Sequence, residues 1–465
     1  MVTVPSGSQG VSVPTRLAPV ATKPAQTRPA EVVPAPTEPG RLTARLRSRL
    51  NTPRIYWLAA AGLVVLALAT GAAAVADVRQ REALITDVAE VSGPISVDAQ
   101  TLYRNLADAD ATAATAFLAT DGESPELRTR YLDDLARATA ALTIALRDAD
   151  DEEAAWLRIV ADQLPAYTGL VETARSNQRL GVPLGGAYLR EASGLMQQTI
   201  LPAAAEVFNS THRRLIAEQE EAAGFPWLVT LLVLATGGAL IAAQVLVARR
   251  SRRTFNLGLV TASAVTVLAL LWSVVALGAS AGRLETGRRD GSVLVSLLAN
   301  SGRAALQARA NESLTLVARG GGATFEKTFT SRLDELIGAD GQGGLFAQAL
   351  AQAPSSDRRL IADARDEAIR WRTLHEQVRA ADNGGDWDKA VALATQSGDE
   401  ALPAVFARLD GGLTEALTVG NGRVDEQAEQ AANALRGLLP GLVLLTGGLV
   451  AAVVMGFRPR IGEYR

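Results

Sequence analysis

The chain of 465 residues has no cysteine, only two histidines and only three lysines, and four long stretches of it carry no charged residue. The missing cysteine excludes disulfides, zinc–thiolate sites and cysteine nucleophiles. The two histidines, His212 and His375, leave little for metal or acid–base chemistry. His375-Glu376-Gln377-Val378-Arg379 opens like a zinc-protease helix but has Arg where the second ligand must stand, and no Glu-x-x-His pair is present for a di-metal bundle site. Gly320-Gly321-Gly322 lacks the Lys-Ser/Thr that completes a phosphate loop, so it reads as a helix break. No cofactor and no enzymatic activity are expected. The basic residues form no groove-like cluster, which argues against nucleic acid. Arginine supplies 43 of the 46 basic residues, a codon signature of a GC-rich bacterial genome.

The uncharged stretches are 55–76, 222–248, 254–282 and 437–457. At 1.5 Å per helical residue each is long enough to cross a hydrocarbon layer of about 30 Å. The segments before, between the middle pair of, and after these spans carry 15 Arg/Lys against 3 Asp/Glu. The long segments 77–221 and 283–436 carry 31 against 46. Arg and Lys collect on the cytoplasmic side, so both termini are expected inside and both long segments outside. The residues that set this topology are Arg41, Arg45, Arg47, Arg49 and Arg54, the hairpin Arg249, Arg250, Arg252 and Arg253, and Arg458 and Arg460 of the tail 458–465. The first span follows a 54-residue leader and is 22 residues long, too far in and too long for a secretory signal, so an uncleaved anchor is expected. Residues 1–40 hold eight prolines and read as disordered with polyproline II character. Membrane lipid is the one partner composition alone implies. No span contains an ionisable group, which argues against an ion or substrate path.

The outer segments are rich in Ala, Leu, Glu, Arg and Gln, with apolar residues at helical spacing. Leu102, Leu106, Ala113, Phe117 and Leu118 form one stripe, and Trp156, Ile159, Val160, Leu164, Tyr167 and Val171 another. Breaks at 120–125, 148–153 and 181–186 divide the first segment into four helices. The outer two should run straight into spans one and two beneath an up-down-up-down bundle, with loops 120–125 and 181–186 together at the far tip. Leu201-Pro202-Ala203 recurs as Leu402-Pro403-Ala404, and Thr236-Gly237-Gly238 as Thr446-Gly447-Gly448, which points to a duplicated span–bundle–span unit. The expected architecture is therefore all-α: four transmembrane helices and two tandem four-helix bundles. Pro202 and Pro403 are expected inside the returning helices, as kinks or hinges.

Each half so arranged resembles the sensing region of bacterial chemoreceptors and histidine kinases, in which a small slide of one packed helix transmits a signal. With no cytoplasmic output domain in view, the signal is expected to pass to another protein. The tandem outer bundles, the short arginine hairpin and the ending Arg458-Pro459-Arg460-Ile461-Gly462-Glu463-Tyr464-Arg465 resemble a family of four-pass actinobacterial membrane proteins. Members of that family are encoded beside an amino-acid-binding lipoprotein and a cytoplasmic Ser/Thr kinase. The resemblance implies docking of a lipoprotein carrying glutamine, glutamate or aspartate outside, and relay to the kinase inside. It carries no ligand-contacting residues. The expected docking charges at the tip are Asp121, Glu123, Glu126 and Arg128 in the first half and Glu326, Lys327, Asp386, Asp388 and Lys389 in the second. An envelope scaffold and an accessory transporter subunit are the alternatives.

Overall fold

The structure, a computed structural model, describes residues 52–118, 124–251 and 256–462. The chain divides into Met1–Ile55 and Tyr56–Arg465. Arg41, Arg45, Arg47 and Arg49, the proline-rich leader, Asp121, Glu123, Arg252 and Arg253 lie outside the described residues. The fold is all-α, with no strand among the described residues and four helical runs long and apolar enough to cross a membrane.

Helix α1 (Thr52–Asp87) continues through one π turn, Val88–Ser92, into α2 (Gly93–Ala116). Then come α3 (Pro125–Asp148), α4 (Asp151–Arg179) and α5 (Leu184–Leu195), followed by a second π turn, Met196–Ile200, and α6 (Leu201–Ala223). Local chemistry sets these bounds. Ser124 Oγ accepts from Leu127 N with Pro125 in the first turn of α3, and Asp150 and Glu153 form a reciprocal capping box on α4. Helix α7 (Trp227–Ser251) leads to α8 (Leu257–Gly287), whose first turn is capped by Asn256. A third π turn, Arg288–Val293, joins α8 to α9 (Leu294–Val317). The chain ends with α10 (Ala323–Ile337), α11 (Gly344–Gln352), α12 (Arg358–Asn383), α13 (Trp387–Thr395), α14 (Leu402–Leu435) and α15 (Leu438–Gly462). Two pairs of elements stand at nearly equal spacing: the π turns after α1 and α8 begin at residues 88 and 288, and α6 and α14 begin at 201 and 402. Glycine fits the π turns because a Cβ on Gly93 would stand 2.7 Å from Val88 O, and one on Gly291 2.6 Å from Val424 Cγ2.

The two outer segments do not keep separate cores. One buried cluster runs from Ala99 and Leu102 through Tyr167, Met196, Leu298, Trp371 and Leu413. Its centre is the pair α2 and α9, which pack on each other as well as on their own halves. Of their 24 residues each, 16 and 18 are buried, so these helices are enclosed on all sides and not amphipathic. Alanine and serine at the contact let the backbones approach. Polar groups then close the seam: Thr115 and Ser313 hydroxyls lie 3.0 Å apart, Gln307 donates to Tyr103 at 2.7 Å, and Arg104 pairs with Asp410 at 2.6 Å.

Below this body the four runs converge on a second cluster that includes Val78, Leu215, Leu284 and Leu435, and the spans share a third that includes Leu63, Leu240, Leu259 and Val453. Outward, Val65, Leu231, Val275 and Leu444 are exposed, as a lipid-facing surface requires. Inside, Thr70 and Thr236 hydroxyls meet at 2.8 Å, and small residues permit close crossing: a Cβ on Gly258 would stand 2.4 Å from Gly456 Cα. Arg54 lies in the first turn of α1, Arg249 near the end of α7, and Arg458 and Arg460 near the end of α15.

Two details differ from the sequence expectation. Spans one and three are reached by unbroken helix, but the returning helices are interrupted before spans two and four, at 224–226 and at 436–437, where Gly437 has φ 86°. Pro226 cannot continue a helix from the preceding residue, and Gly437 supplies the left-handed backbone that ends α14. The prolines of the repeated tripeptide also diverge. Pro202 follows a π turn inside a continuous helical run, whereas Pro403 sits in the first turn of α14, where a missing N–H costs nothing and no kink arises.

Candidate functional site

At the end of the body remote from the spans, a cavity of about 1090 Å³ opens between the two halves. The first half contributes the end of α2 (Phe117, Leu118), the start of α3 (Pro125, Arg128) and the last turns of α4 (Glu172, Arg175, Gln178, Arg179). It also supplies the turn 181–183 and the face of α5 bearing Gly186 and Arg190. The second half contributes Val317 at the end of α9, Arg319 just past it, and Trp387 at the start of α13. Gln178 donates to the Phe117 carbonyl at 2.7 Å and ties α4 to the end of α2. Gly185 lets α5 press on α4, since a Cβ there would stand 2.9 Å from Ala174 O.

Five arginines and one glutamate line this space among the described residues. Glu172 accepts from Arg128 at 2.7 Å and from Arg175 at 2.8 Å. Burial would raise its pKa, but these two hydrogen bonds and charges outweigh that and hold it below the usual glutamate value. Arg175 also lies over the Tyr131 ring, 4.2 Å from its centroid. Across the cavity the Arg319 guanidinium stacks on Trp387 at 3.9 Å, and the Trp387 indole donates to Leu316 O at 2.9 Å. Arg319 has φ 41°, a left-handed backbone that costs energy in any residue with a Cβ and that the adjoining Gly320 (φ 84°) continues. Turn and stacking together fix where this guanidinium stands.

A second concentration of charge is buried in the second half. Glu312 on α9 accepts from His375 Nδ1 at 2.9 Å and from the Trp371 indole at 3.1 Å, and pairs with Arg309. His375 Nε2 meets Glu326 Oε1 at 3.1 Å, and Glu326 pairs with Arg379 at 3.2 Å. Phe329 stacks on the imidazole at 3.7 Å. Burial would lower the His375 pKa, but the hydrogen bonds and charges of Glu312 and Glu326 prevail and lift it to about 9. For Glu312, burial opposes ionisation, yet Arg309 and His375 hold its pKa below the ordinary value. Every charge here has a partner, so the cluster reads as a lock between α9, α10 and α12 and not as a reaction centre. Among the described residues no group of three or more His, Asp or Glu has the arrangement of a metal site.

The sequence-predicted tip residues fall in different places. Arg128 lines the cavity. Glu126 is exposed and accepts from Ser124 at 2.7 Å. Glu326 turns inward to His375 and Arg379, not outward to a partner. Asp386 caps α13, accepting from Lys389 N, and Lys327, Asp388 and Lys389 are on the surface or partly exposed. His212 stacks on Phe208 at 5.5 Å, whereas His375 is paired at both ring nitrogens, to Glu312 and Glu326. Sequence reasoning missed Arg175, Arg179, Arg190, Arg319 and Trp387 as cavity residues.

Residues 84–220 match the family model of an actinobacterial sensor domain. That region is the part of the first half that leaves the membrane on α1 and returns on α6, and it includes the first-half wall of the cavity. The match supports a sensor role in signalling for a protein of actinobacterial type. No curated protein and no solved structure matches the chain.

Proposed function

We propose that the chain is a non-enzymatic membrane relay that senses amino-acid availability outside the cell through a solute-binding lipoprotein and passes the signal to a cytoplasmic Ser/Thr kinase. The observation that carries the reading is the shared outer core. Because α2 and α9 are enclosed in one body and run unbroken into spans one and three, a rearrangement at the far end has a stiff route to the membrane. The run 54–116 is 63 residues, roughly 95 Å of helix. The interruptions at 224–226 and 436–437 let spans two and four respond separately from the helices above them. The sensor-domain match over 84–220 and the near-equal spacing of the π turns at 88 and 288 and of the helix starts at 201 and 402 support the reading of a duplicated sensing unit. The lipoprotein docks at the cavity end, and the arginine flanks hold both termini in the cytoplasm.

The absence of native cysteine makes the test direct. In cell membranes, Thr70→Cys and Thr236→Cys place thiols on spans one and two at a 2.8 Å hydroxyl contact. Oxidative cross-linking is then followed with the lipoprotein co-expressed and glutamine, glutamate or aspartate added. The expected result is a change in cross-linking rate that needs both lipoprotein and amino acid. An unaltered rate with all three, in protein that melts normally, rejects the relay.

A further inference from the structure

We infer that the cavity between the halves is a binding site for a small polyanion, a molecule carrying at least two carboxylate or phosphate groups, which joins the first half to the second. The inference extends the relay reading by giving the outer body a ligand of its own.

Size admits such a molecule, since about 1090 Å³ slightly exceeds the roughly 300–1,000 Å³ of ordinary small-ligand sites. The charge pattern selects its sign. Arg179 ends α4, Arg190 stands on α5 and Arg319 follows α9, so three separate segments bring arginine to the lining of one space. Among the described residues, none of these three has a carboxylate within salt-bridge distance, and the one lining glutamate, Glu172, is already held between Arg128 and Arg175. Arginine is the residue best shaped for this task, because its planar fork grips carboxylate or phosphate with two parallel hydrogen bonds. Arg319 is also set in advance by its left-handed backbone and by Trp387, so little freedom is lost when it binds.

The distribution between halves gives the site its consequence. Arg179 and Arg190 belong to the first half, Arg319 and Trp387 to the second, and the halves stand close there, since a Cβ on Gly186 would lie 3.5 Å from Val317 Cγ1. A ligand with two anionic groups is held by both sides at once, whereas a monoanion is held by one. Occupancy then biases how α4 and α5 sit against the end of α9. The continuous helices carry that bias toward the membrane.

The test uses the full chain in nanodiscs, titrated calorimetrically with citrate as the polycarboxylate, pyrophosphate as the polyphosphate and acetate as the monoanion. Saturable binding of citrate or pyrophosphate, with acetate at least tenfold weaker, is expected; whichever binds tighter identifies the chemistry. Arg190→Ala and Arg319→Ala should each weaken that binding about tenfold or more, with melting temperature unchanged, and Arg319→Lys should recover only part of it. Absence of binding by both polyanions, or binding indifferent to both alanine variants, overturns the inference. Those outcomes leave the relay untouched if the Thr70–Thr236 cross-link still responds to lipoprotein and amino acid. Loss of that response while citrate or pyrophosphate still binds sinks the relay alone.

Discussion

The two halves bury a carboxylate at nearly the same depth of nearly the same helix, and treat it in opposite ways. Asp110 in α2 is met only by neutral groups: Ser193 Oγ donates at 2.7 Å, Gln197 Nε2 at 3.2 Å and Tyr167 Oη at 3.5 Å. Burial raises its pKa and these hydrogen bonds only partly offset the rise, leaving it at about 6. Glu312 in α9 has Arg309 and His375 and stays ionised. The fold thus tolerates an acid that protonates near neutrality on one side and locks a full ion network on the other. Gln197, from the π turn before α6, ties Asp110 to the other half, donating to Asp110 and accepting from Asn311 of α9 at 3.1 Å. The first half is the softer partner.

The sharpest way to break this contrast is Glu312→Ala, which leaves the buried cations of His375 and Arg309 without their shared partner. Removing one member of a buried charge network costs about 3–5 kcal/mol, so a fall of that size in unfolding free energy is expected. A loss under about 1 kcal/mol would show that the cluster is no lock.

Asp110→Asn should act in the other direction. Its folded pKa of about 6 lies above the ordinary 3.8, so the native state binds the extra proton and stability falls as pH rises from 3.8 to 6. Above that window the ionised Asp110 costs up to ~3 kcal/mol. Asparagine removes the ionisation, so the variant should equal or exceed the parent at pH 7.5 and lose the pH slope between 4 and 6. His375 has a linkage of the same sign in a higher window, where it is the charged form that stabilises. With its pKa raised to about 9, the stabilisation it gives is complete below 6.5 and lost as pH climbs through 9. His375→Gln should therefore abolish a second slope, between 6.5 and 9, without touching the first. Melting temperature across pH 4–9.5 for parent and both variants reads all of this. A single common slope in all three would erase the distinction between the halves.

How far these features were legible follows from what each signal depends on. The four spans were plain because charge is absent from them, and helix ends at 125, 151 and 184 were plain because Pro, Asp and Gly mark them locally. The enclosed character of α2 was not. Ala107-Asp-Ala-Asp-Ala-Thr-Ala-Ala-Thr-Ala116 has little apolar area per residue, so its periodicity looks weak; what it offers is close approach, which depends on a partner helix 200 residues away. Glu312, within Ala-Asn-Glu-Ser-Leu, reads as a surface charge until α12 brings His375 and Trp371 to it. Four of the five cavity arginines were hidden by number, among 43 in the chain. Only their three-dimensional convergence separates them from solvated ones. Gly181 and the tip loops did indicate where to look, and Asp386 and Asp388 were placed at the tip without the Trp387 between them.

The smallest effects concern the repeated prolines, and they decide where the chain flexes. Pro202 and Pro403 occupy matching tripeptides but different local structure: one follows the π turn 196–200 within a long helical run, and the other opens a new helix. Pro403→Ala should destabilise by no more than about 1 kcal/mol, mainly by loosening the unfolded chain. Pro202→Ala restores a backbone donor within the run, so it should be neutral or slightly stabilising, with the cross-link response intact. If the hinges are instead the interruptions beneath, Gly437→Ala should matter more to signalling than either proline. Its φ of 86° lies in the left-handed region, which costs a side chain roughly 1–2 kcal/mol and favours helical continuity from α14 into α15. The readout is a disulfide pair across spans three and four, compared in the three variants. A response lost in Pro202→Ala and kept in Gly437→Ala would move the hinge back to the repeated proline, and with it the idea that the two halves flex at the membrane surface.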